Sequence, residues 1–203
     1  MTSPFFKSTT LMLAIVSALL TITPTHASAS VEAATAYVDK IATKTMGILN
    51  GSGSKSKKLE SVIKKHVDID WIGKFVMGKH WRTADKKQRQ QYLKNYKRFI
   101  LSSYAKRFTE YRGDGYKMLK SRKDSNNKYT VKMSIDVDGT PTMVDYKLKK
   151  KGSGYKIYDL NVEGVSLITT QRSEFNSVIQ SKGVDYLIEQ LANKSSSVLA
   201  SAK

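Results

Sequence analysis

Cysteine is missing from this chain of 203 residues, so no disulfide framework holds it together and its stability rests on a packed core. An oxidising compartment is therefore tolerated. Histidine is nearly missing as well, with three in all. His66 closes a basic stretch and His80 sits in a Gly-Lys-His-Trp turn. Neither has a second histidine or a carboxylate at ligand spacing, which argues against a metal site. No Gly-x-Ser-x-Gly elbow occurs, so an esterase or phospholipase of that type has no support. The one phosphate-loop candidate, Gly51-Ser-Gly-Ser-Lys-Ser, has Ser54 where a Walker A needs glycine, and it reads as a flexible linker. Long apolar runs are lacking too. The longest, Leu11 to Leu20 and at most to Ile22, falls short of the roughly 20 residues needed to cross a bilayer.

That short run fits a different use. Lys7 precedes it, and a polar stretch leads on to Ala27-Ser28-Ala29, the order of a secretory signal peptide. Residues 1–29 are expected to be removed, His26 with them, leaving 174 residues that begin at Ser30, have no cysteine for a lipid anchor and occupy the periplasm. Acidic residues are scarce: 17 Asp and Glu stand against 35 Lys and Arg, a net charge of +18 with a pI near 9.9. The leader holds one Lys and no acid, so the mature chain keeps +17. Such a charge often marks a nucleic-acid binder, but an exported protein meets little nucleic acid. Anionic lipid headgroups and acidic partner proteins are the expected targets. The mature length suits one domain that buries about 70% of its unfolded surface.

Helices are expected first, then strands, then helices again. Val31, Ala34, Val38, Ile41, Thr45 and Ile48 recur at helical spacing over 30–50, with Gly51 as a stop. A second helix is expected over 57–67, and Asp68 or Asp70 caps a third that carries Trp71, Phe75 and Val76 and ends at Gly78. Thr83 is the expected N-cap of the longest helix, which runs to about Tyr111. Its apolar side, from Tyr92 through Tyr96, Ile100 and Tyr104 to Phe108, covers roughly 200°, about twice what a helix lying on one sheet needs. The surplus predicts contact with further helices or with a ligand.

From Tyr116 the period drops to 2. Tyr129, Val131, Met133, Ile135 and Val137 alternate with polar neighbours, and Asp138-Gly139 marks a hairpin. Val144, Tyr146 and Leu148 line one face of the return strand, and Tyr158, Leu160 and Val162 that of the next. With 116–121 this predicts an α+β fold: a four-stranded antiparallel twisted sheet with helices packed on one face. After Gly164, Leu167, Ile168, Phe175, Val178 and Ile179 mark one helix, and Val184, Leu187, Ile188 and Leu191 the last. The domain is expected to span 30–192, with the Ser-rich residues 193–203 as a flexible tail. Among strand carboxylates, Asp136 and Asp145 alternate with apolar positions, so pairing with Lys132 or Lys147 explains them better than general-base chemistry. Asp159 is the third strand carboxylate.

Two strings carry more information. One is Val76-Met77-Gly78-Lys79-His80-Trp81-Arg82-Thr83-Ala84 with Gln88 downstream; the other is Val162-Glu163-Gly164-Val165-Ser166-Leu167-Ile168-Thr169-Thr170 continuing to Phe175. Lys182-Gly183-Val184-Asp185, followed by Leu187, accompanies them. In this order they resemble the MlaC-type (toluene-tolerance) family of periplasmic phospholipid carriers, over essentially the whole mature chain. The resemblance implies a carrier rather than an enzyme, with bound phospholipid as cargo and no cofactor. It further implies shuttling between an inner-membrane ABC lipid transport complex and an outer-membrane lipoprotein–porin complex, which maintains outer-membrane lipid asymmetry. A monomer that makes transient membrane contact and binds no nucleic acid is expected. Many relatives have Tyr before Arg172 where this chain has Gln171, so Gln171 is assigned no lipid contact.

The carrier needs an apolar pocket between sheet and helices. The residues expected to bind lipid there are Phe75, Tyr104, Phe108, Val131, Met133, Ile135, Val144, Tyr146, Leu148, Val165 and Ile168. For each of them ordinary core packing is the competing explanation. Two other functions compete with the carrier. A ketosteroid-isomerase-like pocket enzyme requires a buried paired carboxylate, and a basic periplasmic adaptor requires a filled core with no cavity.

Overall fold

The computed structural model describes residues 25–110, 115–137 and 139–200. Four helices lead into the longest one: α1 (Thr25–Asn50), α2 (Lys55–His66), α3 (Ile69–Met77) and the single turn α4 (His80–Thr83), followed by α5 (Lys86–Glu110). Most of the expected leader lies outside the described residues, and the expected cleavage point after Ala29 falls within α1. Thr83 does not cap α5. It closes α4, its hydroxyl returning to the His80 carbonyl at 3.2 Å. Asp85 takes the role instead: Oδ1 accepts the Gln88 N–H at 2.8 Å, while Gln88 Oε1 accepts the Asp85 N–H at 3.1 Å. This reciprocal pair is a capping box, which satisfies two N–H groups at once.

The wide apolar arc of α5 is covered by α2, α3 and the last helix, α7 (Val184–Ala200). Tyr92 and Tyr96 are fully buried and stack at 5.6 Å, with the Phe175 ring edge-on to both. Tyr92 donates its hydroxyl to the Gly73 carbonyl at 2.9 Å. A Cβ on Gly73 would lie 2.9 Å from the Tyr96 ring, so α3 approaches α5 at a distance only glycine permits. Helix α7 continues past Asn193 to Ala200, where a flexible tail was expected. Ser195 is fully buried and returns its hydroxyl to Ala192 at 2.8 Å. A small polar residue that bonds its own helix backbone can thus extend the seam that Leu187, Ile188 and Leu191 begin.

The sheet has six strands rather than four: β1 (Tyr116–Met118), β2 (Arg122–Ser125), β3 (Lys128–Val137), β4 (Thr140–Lys151), β5 (Gly154–Val162) and β6 (Val165–Ser166). All neighbours pair antiparallel, in the order β1-β3-β4-β5-β6, with β2 also on β3. The strand expected over 116–121 is the shorter β1, and β2 and β6 are additional strands. Strand β2 is exposed along its length and carries no apolar alternation, so periodicity could not reveal it. Val137 pairs with Thr140 across the hairpin, where Asp136 Oδ1 accepts the Gly139 N–H at 2.9 Å; Asp138 lies outside the described residues. Asp145 does pair across the strands with Lys132, at 3.1 Å.

A bulge between Lys147 and Leu148 shifts the register against β5, so Leu148 pairs with Ile157 while Tyr146 pairs with Leu160. An extra residue in one strand reverses its side-chain alternation. Ile157 is therefore buried inward beside Leu148, and Tyr158 leaves the expected apolar face to meet Trp71 edge-on at 5.5 Å.

Helix α6 (Leu167–Lys182) completes the layer over the sheet. Its N-cap is Ser166, whose Oγ accepts the Thr169 N–H at 3.2 Å. The buried apolar residues fall into two groups. One joins α2, α3, α5, α6 and α7; the other joins α1, Val62 and the sheet residues Tyr129, Val131, Leu148 and Ile157.

Candidate functional site

Between these two groups the packing opens into an apolar chamber. About 180 Å³ of it is open to the centres of water-sized spheres, room on the order of a dozen waters. Met133 and Ile135 of β3, Tyr146 of β4 and Ile157 and Leu160 of β5 form its floor. Helix α1 contributes Ile41, Ala42, Thr45, Met46 and Leu49; α2 contributes Leu59, Val62 and Ile63; α3 contributes Ile69 and Ile72. Tyr96, Ile100 and Tyr104 of α5, with Leu167, Ile168 and Gln171 of α6, close it from above. Water that occupies such a chamber meets walls of hydrocarbon, and its release favours an apolar ligand.

Of the residues singled out from sequence, the structure brings Tyr104, Met133, Ile135, Tyr146 and Ile168 to the chamber wall. Val131, Val144 and Leu148 share the apolar sheet face but are not at the wall. Val131 and Leu148 are fully buried with Ala34, Val38 and Ile41, because α1 crosses the sheet there, and Val144 is buried toward the strand end. Phe75 lies beside Ile72 on α3 but at the edge of its buried side, outside the chamber: it stacks on Trp71 at 5.3 Å, and the Arg172 guanidinium lies 4.8 Å from its ring. Val165 is 57% exposed in the two-residue strand β6, since the turn through Glu163 and Gly164 directs it to solvent. The side chain of Phe108 lies outside the described residues.

The sequence reading missed the whole contribution of α1 and α2, and also Gln171. The helical spacing of Ile41 and Thr45 was visible, but which helix faces the sheet is a tertiary matter. Gln171 lines the chamber and accepts the Tyr96 hydroxyl at 2.6 Å. Burial, with Tyr104 nearby, holds the Tyr96 hydroxyl far above its ordinary pKa, so it stays a donor at any physiological pH.

Asp159 and His66 of the wall are engaged within the fold. Asp159, the single carboxylate there, is buried and accepts from Ser166 Oγ at 2.7 Å and from the Ile168 N–H at 3.3 Å. It anchors the start of α6 and has no second carboxylate beside it in the wall. Tyr37 gives its proton to the Tyr155 carbonyl at 2.7 Å and stands 2.8 Å from His66 Nδ1, which makes Nδ1 the donor. Desolvation lowers the His66 pKa, and Lys65, Lys44 and Lys156 lower it further. His80 is remote from the chamber wall and bonds Asn176 Oδ1 at 2.9 Å. Among the described residues no group of three metal-ligating side chains occurs, and no helix is long and apolar enough to cross a membrane.

The two sequence strings frame this chamber. Gly78 sits at φ +59°, and the Arg172 guanidinium occupies the space beside it where a Cβ would be 3.2 Å away. Buried Val76 and Met77 precede it, and Trp81 follows between Lys74 and Arg89, whose charges lie 5.6 and 5.5 Å from its ring. The second string supplies the Ser166 cap, the wall residues Leu167 and Ile168, and Phe175 against the tyrosine stack.

A sheet roofed by helices over an apolar chamber defines an α+β pocket protein with a nonpolar interior. The family model "MlaC protein" matches residues 32–193, and the chain belongs to that family. It is 24% identical over 137 residues to the intermembrane phospholipid transport system binding protein MlaC of Haemophilus influenzae, covering 64% of each chain. It is 27% identical over 129 residues to the toluene tolerance protein ttg2D of Pseudomonas putida, covering 63% of this chain and 60% of that one. The matched region thus spans less than two thirds of either relative. Among solved structures, a phospholipid-binding protein from Ralstonia solanacearum, in complex with a phospholipid, superposes with a TM-score of 0.70. The match has 23% identity and covers 82% of this chain and 98% of the other; it establishes a shared fold.

Proposed function

We propose that this protein carries diacyl phospholipid through the periplasm, with the acyl chains held in the apolar chamber and the headgroup toward solvent. The observation that carries this reading is the chamber itself, bounded by both buried groups and almost wholly by apolar side chains. The family, and the relatives whose names specify phospholipid transport or binding, support the same cargo. Physics makes a carrier necessary. At about 0.8 kcal/mol per buried CH₂, roughly 30 methylenes in two chains oppose unaided passage through water by on the order of 24 kcal/mol. The proposed route runs between an outer-membrane lipoprotein–porin complex and an inner-membrane ABC complex, and its proposed effect is to maintain outer-membrane lipid asymmetry. The excess of 18 positive charges suits transient docking on anionic or acidic surfaces. The absence of a second carboxylate beside Asp159 in the wall favours carriage over pocket chemistry.

The test is transfer of a fluorescent phospholipid from donor to acceptor vesicles by purified wild type and Ile135→Glu. Wild type accelerates transfer; the variant, which sets a carboxylate into the floor, does not, while circular dichroism shows the same fold. Absence of wild-type transfer together with absence of bound lipid would overturn the proposal.

A further inference from the structure

Two donor groups of the chamber, the Tyr146 hydroxyl and the Gln171 side-chain NH₂, make no hydrogen bond to any of the described residues. Tyr146 rises from the middle of the floor, between Val131 and Leu160 in the strand pairing. Its hydroxyl, pushed by burial to a pKa of about 12, makes no hydrogen bond. Gln171 commits its carbonyl oxygen to the Tyr96 hydroxyl at 2.6 Å, which orients the side-chain amide and leaves its NH₂ without an acceptor. The other polar groups of the wall behave differently. Asp159 is held by Ser166 and Ile168, Thr45 returns its hydroxyl to the Ile41 carbonyl, and Tyr116 donates to Asp39. Both residues are half-buried rather than sealed, so water can reach these donors while the chamber is empty of lipid and is displaced when lipid enters. Once lipid fills a chamber otherwise lined by hydrocarbon and displaces that water, the acceptor open to these donors is one the ligand carries in.

We infer that Tyr146 Oη and Gln171 Nε2 are specificity-determining donors that recognise the ester carbonyl oxygens of an acyl lipid inside the chamber. The inference rests on the phospholipid reading and goes beyond it. Recognition at the ester is independent of the headgroup and separates acyl lipids from alkyl ethers with the same chains. No electrons or atoms move; each contact is an O–H or N–H donated to a carbonyl. Replacing Tyr146 by phenylalanine removes a donor that the empty protein does not use, so it should not destabilise the empty protein, whereas loss of a paired hydroxyl would.

The experiment measures binding of a diacyl phosphatidylglycerol and of its dialkyl ether analogue, matched in chain length, to delipidated wild type, Tyr146→Phe and Gln171→Leu. Wild type should favour the ester by roughly 2- to 13-fold per donor. Each variant should lose its share of that preference; Tyr146→Phe should leave ether affinity unchanged and melt at or above the wild-type temperature when empty, whereas Gln171→Leu, which also takes the acceptor from the buried Tyr96 hydroxyl, should melt lower. Equal affinity of wild type for both lipids overturns the inference while leaving the carrier reading intact. So does an equal loss of ester and ether binding in the variants, which marks a packing role. If wild type binds neither lipid, the carrier reading fails and this inference fails with it.

Discussion

Filling the chamber should have opposite consequences for stability and for binding. Ala42 lies on the chamber side of α1 and is 8% exposed, so Ala42→Phe directs a ring into the open volume from a rigid helix. Burying a Phe side chain contributes about 1.5–3 kcal/mol, and replacing alanine in a helix costs about 0.5 kcal/mol. The net expectation for the delipidated protein is a gain of roughly 1–2.5 kcal/mol. For a domain of this size that raises Tm by roughly 2–10 °C. In a filled core the same substitution would overpack and cost about 1–3 kcal/mol, so the two accounts differ in sign. Calorimetry of the delipidated proteins reads the first effect, and titration with phospholipid reads the second, which should be a loss of at least tenfold in affinity. A variant that melts lower than wild type yet binds lipid normally would refute the reasoning, because it would show Ala42 packed against protein and the ligand elsewhere.

Phe75→Ala should lower stability by about 2 kcal/mol through lost contact with Trp71 and Arg172, yet leave phospholipid binding within a factor of two, since Phe75 is not at the wall. Asp85→Ala should cost about 1 kcal/mol by removing the cap of α5, measured by urea titration, whereas Thr83→Ala should be nearly neutral. For His66, whose pKa is lowered in the fold, the sign follows from linkage: the unfolded chain takes up the proton first, so stability is full above the ordinary value near 6.5 and declines as pH falls through the lowered folded value. Melting of wild type against His66→Gln between pH 7.5 and 5 should show the steeper acid loss in wild type. Parallel curves would remove His66 as the cause.

What could be read from the chain divides along physical lines. Strand alternation depends on local period, and it placed Met133, Ile135 and Tyr146 together on one face, which the antiparallel register of β3 and β4 preserves. The bulge at Lys147 and Leu148 reversed the parity of β5, so that Ile157 rather than Tyr158 turned inward; an inserted residue has no signature in alternation until the pairing partner is known. The arc of α5 announced extra contacts, yet nothing in the wheel said that α7 would take part of it and the chamber another. Phe75 was misplaced for a related reason. Ile72 and Phe75 lie three residues apart on one side of α3, yet Ile72 reaches the chamber while Phe75, at the edge of that side, packs on Trp71 one turn earlier and on Arg172. Gln171 was assigned no lipid contact because it stands where many relatives have Tyr, and only the Tyr96 hydroxyl beside it gives its amide a direction.

The central claim is that the chamber between the sheet and the helices holds phospholipid acyl chains. Native mass spectrometry of the protein purified without detergent, followed by organic extraction and fragmentation of what is released, tests it directly. The account predicts a stoichiometric diacyl phospholipid that leaves on extraction and returns on incubation with vesicles. A protein that emerges empty, melts as a fully packed domain and takes up no phospholipid from vesicles would contradict it.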